Sequence, residues 1–363
     1  MSRQPQLPQT LEQFLHQAQV ESCTDIHLSP GHIPHWRIRG DLQPTDFPAV
    51  AENQFWQWMG EILATNQLER FQQGNTINQI VQYANATFSL HGHWTTTGPA
   101  IALRLPILTI PDMDQLGLPE RLKDVIQSPT GQWSQGLILV AGMTGSGKST
   151  SLASLVNHIN ATACCHIVTL DDPLLFIYPQ QRATFTQWVS GIHIDSLVDG
   201  ITQAQRIDAD VMVINEISDR PTLDQALCAA NRGCLVLASL HADRAIDALE
   251  TIFSFYSEAE QPFIRHRLSK TLKALLGQRL TPPATGEFRR AALHDLLIVT
   301  PTVQSKLADG HMNYLASRLN QDAEMWPHTM TQDLQRLLAD GRVSQETFTA
   351  VSQVLQRDEL QPF

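Results

Sequence analysis

The chain has 363 residues, 42% of them hydrophobic and 17% charged, and 36 acidic against 25 basic side chains give a formal net charge of −11. This is ordinary globular material for two or three domains, and its acidity excludes broad electrostatic binding of nucleic acid or of an anionic membrane surface. Cys23, Cys164, Cys165, Cys228 and Cys234 form no CxxC pair, and neither an apolar signal core nor the roughly 18 apolar residues of a membrane span occur, so a cytosolic protein with reduced thiols is expected.

Leu11, Phe14, Leu15 and Ala18 recur at helical spacing and predict a short amphipathic first helix. Ile26 and Leu28, then Trp36 and Ile38, alternate with polar residues around Ser29-Pro30-Gly31, the pattern of a β-hairpin. Helical periodicity returns between Ala51 and Phe71, and short alternating strands between Ile77 and Leu105. Residues 1–105 therefore read as a small α+β domain. Pro106 and Pro111 fix an extended path over 106–115, a linker, and residues 116–363 form the second domain.

There a helix is expected over Leu116 to Ile126, a turn at SPTGQWSQG, and then an apolar strand, Leu137 to Ala141. Gly142-Met143-Thr144-Gly145-Ser146-Gly147-Lys148-Ser149 follows and satisfies GxxxxGK[ST] between a strand and a helix. In such a loop, glycines let backbone N–H groups turn toward a phosphate, and the helix N-terminus adds partial positive charge. Lys148 is expected on the β- and γ-phosphates of ATP and the Ser149 hydroxyl on Mg²⁺, with Thr144 and Thr150 completing the contacts.

Cys165 to Leu170, Val211 to Asn215 and Cys234 to Leu240 are short apolar runs of buried parallel-strand type, separated by helices over Ser196 to Arg206 and Thr222 to Asn231. The fold class is therefore α/β, with a doubly wound nucleotide domain after the smaller α+β one. The portion from about residue 245 to 363 reads as mostly helical, broken by TPPATGEF and by a strand-like AALHDLLIV.

Three strand ends carry candidate chemistry. Glu216 closes an apolar run, where an acid can order Mg²⁺ and polarise an attacking water. Asp171 and Asp172 close another; adjacent carboxylates repel unless a cation lies near. His241 closes the third, placed to sense the γ-phosphate. Arg104, Arg182, Arg206, Arg220, Arg232 and Arg244 are the arginines able to reach an ATP within or across subunits, and periodicity does not rank them.

Taken together, these motifs resemble the secretion ATPases of type IV pilus and type II secretion systems, closest to the PilT/PilU pilus-retraction motors. TDIHLSPGHIPHWRIRGDL resembles the opening of that family's PAS-like N-terminal domain, and ALRLP its exit. TLDDPLLF resembles the Asp box, VMVINEISD the Walker B segment and LVLASLHADRAIDALETIFSFY the His box with its helix. The resemblance implies a PAS-like α+β domain followed by a RecA-like ATPase domain. It makes Glu216 the catalytic glutamate, His241 the His-box histidine and Asp172 the Asp-box carboxylate, with Lys148 shared between binding and catalysis, and Ser149, Asp172 and Glu216 around Mg²⁺. It implies a homohexameric ring with ATP completed by a neighbouring subunit, and Arg104 and Arg206 are the arginines expected to reach the phosphates from within or across the ring. The partners expected are an inner-membrane platform protein of the pilus and a paralogous pilus ATPase, with no nucleic acid, and the place of work is the cytoplasmic face of the membrane.

Departures from the family pattern thin the charge. Leu175 stands at the second Glu of the Asp box. Of three arginines in one family segment only the last remains, at Arg206, with Trp188 and Thr202 in place of the two earlier ones, and Ser218 replaces another. TVQSKLAD only faintly matches the element tied to retraction. Two functions fit: a retraction motor that hydrolyses ATP, and an ATP-binding ring subunit with a structural or regulatory role beside a more active paralogue.

Overall fold

The computed structural model describes residues 6–38, 40–83, 86–127, 135–281, 290–319 and 321–360. Its contacts divide into two units. The first comprises Met1–Thr109 with Pro173–Ile177 and Gly191–His193; the second comprises Ile110–Asp172, Tyr178–Ser190 and Ile194–Phe363.

The first unit opens with α1 (Leu11–Val20), followed by β1 (Cys23–Leu28), β2 (His35–Ile38), β3 (Asp41–Pro44), α2 (Glu52–Ile62), α3 (Thr65–Gln72), β4 (Ile77–Tyr83), β5 (Ala86–Thr95) and β6 (Gly98–Arg104). The strands form one antiparallel sheet in the order β3-β2-β1-β6-β5-β4. The expected hairpin is present, with Ile26 opposite Trp36. Leu11, Phe14, Leu15 and Ala18 of α1 are buried, as their spacing predicts. On β5 the alternation buries Ala86, Phe88, Leu90 and Gly92, so one face of the sheet is apolar. Phe14, Phe55, Trp58 and Phe71 fill the core over it without exposure, and the Phe14 ring sits 5.0 Å from Trp58.

The second unit contains α4 (Met113–Leu116), α5 (Arg121–Ile126), β7 (Gly136–Gly142), α6 (Lys148–Thr162), β8 (His166–Asp171), β9 (Thr184–Val189), α7 (Leu197–Arg206), β10 (Val211–Ile217), α8 (Arg220–Asn231) and β11 (Leu235–Leu240). It continues through α9 (Ala245–Ser254), α10 (Gln261–Thr271), β12 (Leu272–Thr281), β13 (Ala291–Ile298), α11 (Pro301–Ala308), α12 (Met312–Ser317), α13 (Met330–Ala339) and α14 (Gln345–Leu360). Its sheet runs β13-β12-β7-β11-β10-β8-β9, parallel throughout except for β13. All seven residues of β7 are buried, because helices cover both faces of a parallel sheet. Leu137, Leu139 and Ala141 meet α7, α8 and α9 on one face, while Ile138 and Val140 meet α5 and α6 on the other.

The helical reading of the C-terminal portion needs correction at Leu272–Thr281. This stretch is a ten-residue strand joined directly to α10. It pairs with β7 on one side and β13 on the other, so sheet burial overrides a run whose Lys273, Gln278 and Arg279 interrupt any period of two. Of the helix expected over Leu116 to Ile126 only the second half forms, as α5; α4 ends at Leu116 with the left-handed Gly117 after it. Most of SPTGQWSQG and all but the first residue of TPPATGEF lie outside the described residues.

Helix α13 is fastened to β13 through buried charge. Asp333, without exposure, accepts from the His294 backbone N–H at 2.9 Å and lies 3.1 Å from His294 Nδ1. Its other oxygen lies 2.9 Å from His328 Nε2 and accepts from Arg336 at 2.7 Å. The histidine–carboxylate trio is close enough for a metal, but the guanidinium already supplies the cation, so the cluster balances itself. Burial alone pushes the Asp333 carboxyl up, yet the His294 and His328 bonds outweigh it and bring it down to about 2. Asp333→Asn is expected to cost about 3–5 kcal/mol, since it leaves buried donors without their charge, and urea unfolding at pH 7 measures this. The carboxylate's contribution is present above its unfolded value near 4 and lost as pH falls toward 2; the two proteins are expected to converge there.

Candidate active site

Four neighbouring parallel strands, β7, β11, β10 and β8, end on the same edge, and each ends in one of the sequence motifs. β7 delivers the glycine-rich loop, β11 delivers His241, β10 delivers Glu216 and β8 delivers Asp171 and Asp172. Sites of α/β sheets form at this edge, outside the carboxyl ends of the strands.

The loop has the shape its residues predict. Gly145 and Gly147 both adopt the left-handed region, with φ of 79° and 90°, and Ser146 N–H donates to the Met143 carbonyl at 3.0 Å. Alternation of this kind turns successive N–H groups toward one concavity. α6 begins at Lys148, with Gly147 as its cap, so Ser149 and Thr150 stand in its first turn, half-buried, while Thr144 and Gly145 are exposed. Lys148 is buried and donates to the Gly142 and Met143 carbonyls at 2.6 and 3.2 Å. Burial lowers its ammonium pKa, and the Glu216 carboxylate raises it in part. Ser146 Oγ is buried with no hydrogen-bond partner among the described residues. A curled set of donors, a desolvated ammonium and an orphaned hydroxyl fit a nucleotide's phosphates.

Glu216 owes its position to a bulge. Ile214 pairs with Ala238 and Ile217 with Leu240, so Asn215 and Glu216 together oppose Ser239 alone. The extra residue bends the strand and aims the half-buried Glu216 out of the ladder. The strand therefore continues beyond Asn215, where its apolar run stops, to Ile217. Asn215 Nδ2 donates to the Asp172 carbonyl at 2.6 Å, and the buried Ser239 hydroxyl donates to the Asn215 carbonyl. These bonds lock the three strand ends into one register.

The two Asp-box carboxylates part company. Asp172 is exposed at the edge. Asp171 faces inward; burial pushes its carboxyl up to about 7, against the lowering effect of the Thr169 hydroxyl at 2.8 Å and of Gln187. His241 is exposed in the loop after β11. That loop is held by Arg279 of β12, which binds both carboxylate oxygens of Asp243, with Nε at 2.7 Å. Gly277 lets the backbone pass closely, since a Cβ there would lie 2.4 Å from the Ala245 nitrogen.

The candidate arginines divide. Arg104 belongs to the first unit and donates to Asp25 at 2.7 Å. Arg206 is exposed in the last turn of α7. The next residue, Ile207, presents its carbonyl 3.2 Å from His166 Nδ1, where β8 begins. Arg206 therefore stands at the amino end of the strands, opposite the phosphate loop of its own chain. Arg220 is engaged by Glu260 at 2.7 Å and Arg244 by Asp247 at 3.0 Å.

Sequence reasoning missed Gln278. It is 3% exposed, donates through Nε2 to the Ser146 carbonyl at 2.7 Å and accepts from Ser151 Oγ at 2.6 Å. A glutamine between Gly277 and Arg279 in an otherwise apolar run was the available signal.

Comparison with known proteins agrees with this geometry. The model of the family described as type II/IV secretion system protein matches residues 3–357. The Escherichia coli (strain K12) protein YggR is 33% identical over 340 residues, covering 92% of this chain and 99% of that protein. The twitching motility protein of Neisseria gonorrhoeae is 29% identical over 314 residues, 86% of this chain and 82% of its own length. Among solved structures, the pilus retraction motor PilT with bound ADP superposes with a TM-score of 0.80 at 27% identity, covering 93% of this chain and 96% of that one.

Proposed function

The chain belongs to the type II/IV secretion system protein family and is an ATPase of it, and from that premise we propose that it works as a homohexameric ring that turns ATP hydrolysis into retraction of a type IV pilus, or into motion of a related secretion machine. The observation that carries the reading is the gathering of motifs at one sheet edge: a phosphate loop, a buried Lys148 and, two strands away, the bulge that aims Glu216 out of the ladder. Likeness to a retraction motor over nearly the whole chain supports the choice of machine.

ATP is held by the backbone of Gly142, Gly145 and Gly147, by Thr144, Ser146 and Thr150, and by Lys148. Mg²⁺, when bound with the Ser149 hydroxyl and the Asp172 and Glu216 carboxylates, draws charge from the γ-phosphate. Glu216 orients the attacking water and takes its proton as the water oxygen bonds to phosphorus and ADP departs. Lys148 offsets the negative charge that gathers on the transferred group, and His241 reports the γ-phosphate to the loop after β11. Arg104 and Arg206 supply further positive charge to nucleotide within the ring. The ring works on the cytoplasmic face of the inner membrane against a platform protein, and nucleic acid has no part.

A second reading, an ATP-binding ring subunit that supports a more active paralogue, has an observation of its own. Where the family pattern has arginines, Trp188 packs against the core and the Thr202 hydroxyl donates to the Val198 carbonyl, so neither position presents charge to a phosphate. Expression in cells lacking their own retraction ATPase separates the readings. Wild-type chain is expected to restore retraction and Glu216→Gln is not. Restoration only in the presence of a paralogue, and equally by both forms, supports the second reading and contradicts the first.

A further inference from the structure

Gln278 does more than fill the core. β12 lies beside β7 with Gln278 in register with Gly142, the first residue of the phosphate loop. From there its side chain crosses to the loop and spans its last peptide and the first turn of α6, donating to the Ser146 carbonyl and accepting from Ser151 Oγ. Both bonds are shielded from water. The side chain also forbids bulk at the turn, since a Cβ on Gly147 would lie 2.8 Å from its Nε2.

The geometry of a trans peptide gives this contact a consequence. The carbonyl of Ser146 and the N–H of Gly147 belong to one plane and point in opposite directions. A donor that fixes the carbonyl on the β12 side therefore fixes the N–H on the other, toward the concavity. Without that donor, rotation of this peptide about ψ of Ser146 and φ of Gly147 would be opposed mainly by the turn itself, and a glycine at 147 tolerates other φ values.

We propose that Gln278 is a positioning residue for nucleotide, holding the Ser146–Gly147 peptide so that its N–H meets the β-phosphate. The inference rests on the reading that this loop binds ATP. It adds the residue, on a different strand, that presets the cradle before the ligand arrives; preset donors lose less on binding.

The test uses the full purified chain, titrated with a fluorescent ADP analogue and assayed for ATP hydrolysis. Gln278→Met keeps length and loses both bonds. It is expected to weaken ADP about tenfold or more, equivalent to about 1.4 kcal/mol, and to raise KM for ATP in step while kcat falls by no more than about twofold, the pattern of uniform binding lost. Gln278→Glu, which sets a carboxylate oxygen against the Ser146 carbonyl, is expected to be worse. Combining Ser151→Ala with Gln278→Met should add nothing to Gln278→Met alone, because the hydroxyl acts through the amide. A merely structural role would instead lower the active fraction, reducing kcat at unchanged KM, and that result overturns the proposal, as does wild-type affinity in Gln278→Met. Where Gln278→Met fails to fold, Ser151→Ala decides: about threefold weaker ADP upholds the role, and unchanged affinity contradicts it. Wild-type protein that binds no ADP overturns the nucleotide reading itself, an outcome distinct from the rest.

Discussion

Glu216→Gln is expected to keep ATP bound and to slow its hydrolysis by about 10²–10⁴, the range for removing a positioned general base. The substitution is nearly isosteric, and the bulge that aims residue 216 depends on the pairing of Ile214 and Ile217 with β11 rather than on the carboxylate. The Asn215 bond to the Asp172 carbonyl also survives, since it involves only the Asn215 side chain. Affinity for ATP therefore stays within a few-fold of wild type, while the proton on the attacking water has no acceptor. Single-turnover hydrolysis with a parallel binding titration reads both quantities. A variant that loses ATP binding would show instead that Glu216 holds the metal–nucleotide complex together rather than serving the chemical event.

Lys148→Ala is expected to weaken ATP and ADP by about 10- to 100-fold, since a charged hydrogen bond to phosphate contributes about 1.5–3 kcal/mol. Isothermal titration with each nucleotide measures it. The sign of the stability change should be opposite to that of most buried truncations. Lys148 is 7% exposed, its ammonium donates to two carbonyls of its own loop and to no other group among the described residues, and burial already lowers its pKa. Removing a desolvated cation relieves that cost, so the nucleotide-free variant is expected to melt no lower than wild type. A marked fall in melting temperature would mean that the lysine holds the loop's shape.

Some of this was legible in the residues. The unbroken apolar run of β7 predicts a strand covered on both faces, and it is buried throughout. The Gly142–Ser149 loop carries its own conformation, because glycine alone takes the dihedrals of positions 145 and 147 without strain. Helices α7 and α8 start within two residues of their predicted positions, marked by Ser196 and Asp219, whose side chains accept from backbone N–H groups three residues on. Resemblance to a known family, rather than periodicity, picked out His241 and Asp172 from other polar strand ends.

What the residues did not show depends on register. β12 follows α10 without an intervening breaker, and LKALLGQRLT carries no clean alternation, so its strand state comes from the neighbours β7 and β13. The bulge at Asn215 and Glu216 exists only relative to β11. The separation of Asp171 from Asp172 likewise depends on the neighbouring strand, since Thr169 and, from β9, Gln187 hold Asp171 while Asp172 lies past the end of β8. Gln278 reaches the loop across 127 residues of sequence separation from Ser151, a distance no local pattern spans.

The central claim is that this chain hydrolyses ATP with its own residues, despite the arginines it lacks. Steady-state phosphate release by the purified protein at saturating Mg²⁺ and ATP, with Glu216→Gln prepared alongside and no other ATPase present, tests it most directly. The account predicts a wild-type rate at least about 100-fold above that of the variant; equal rates in the two proteins would contradict it.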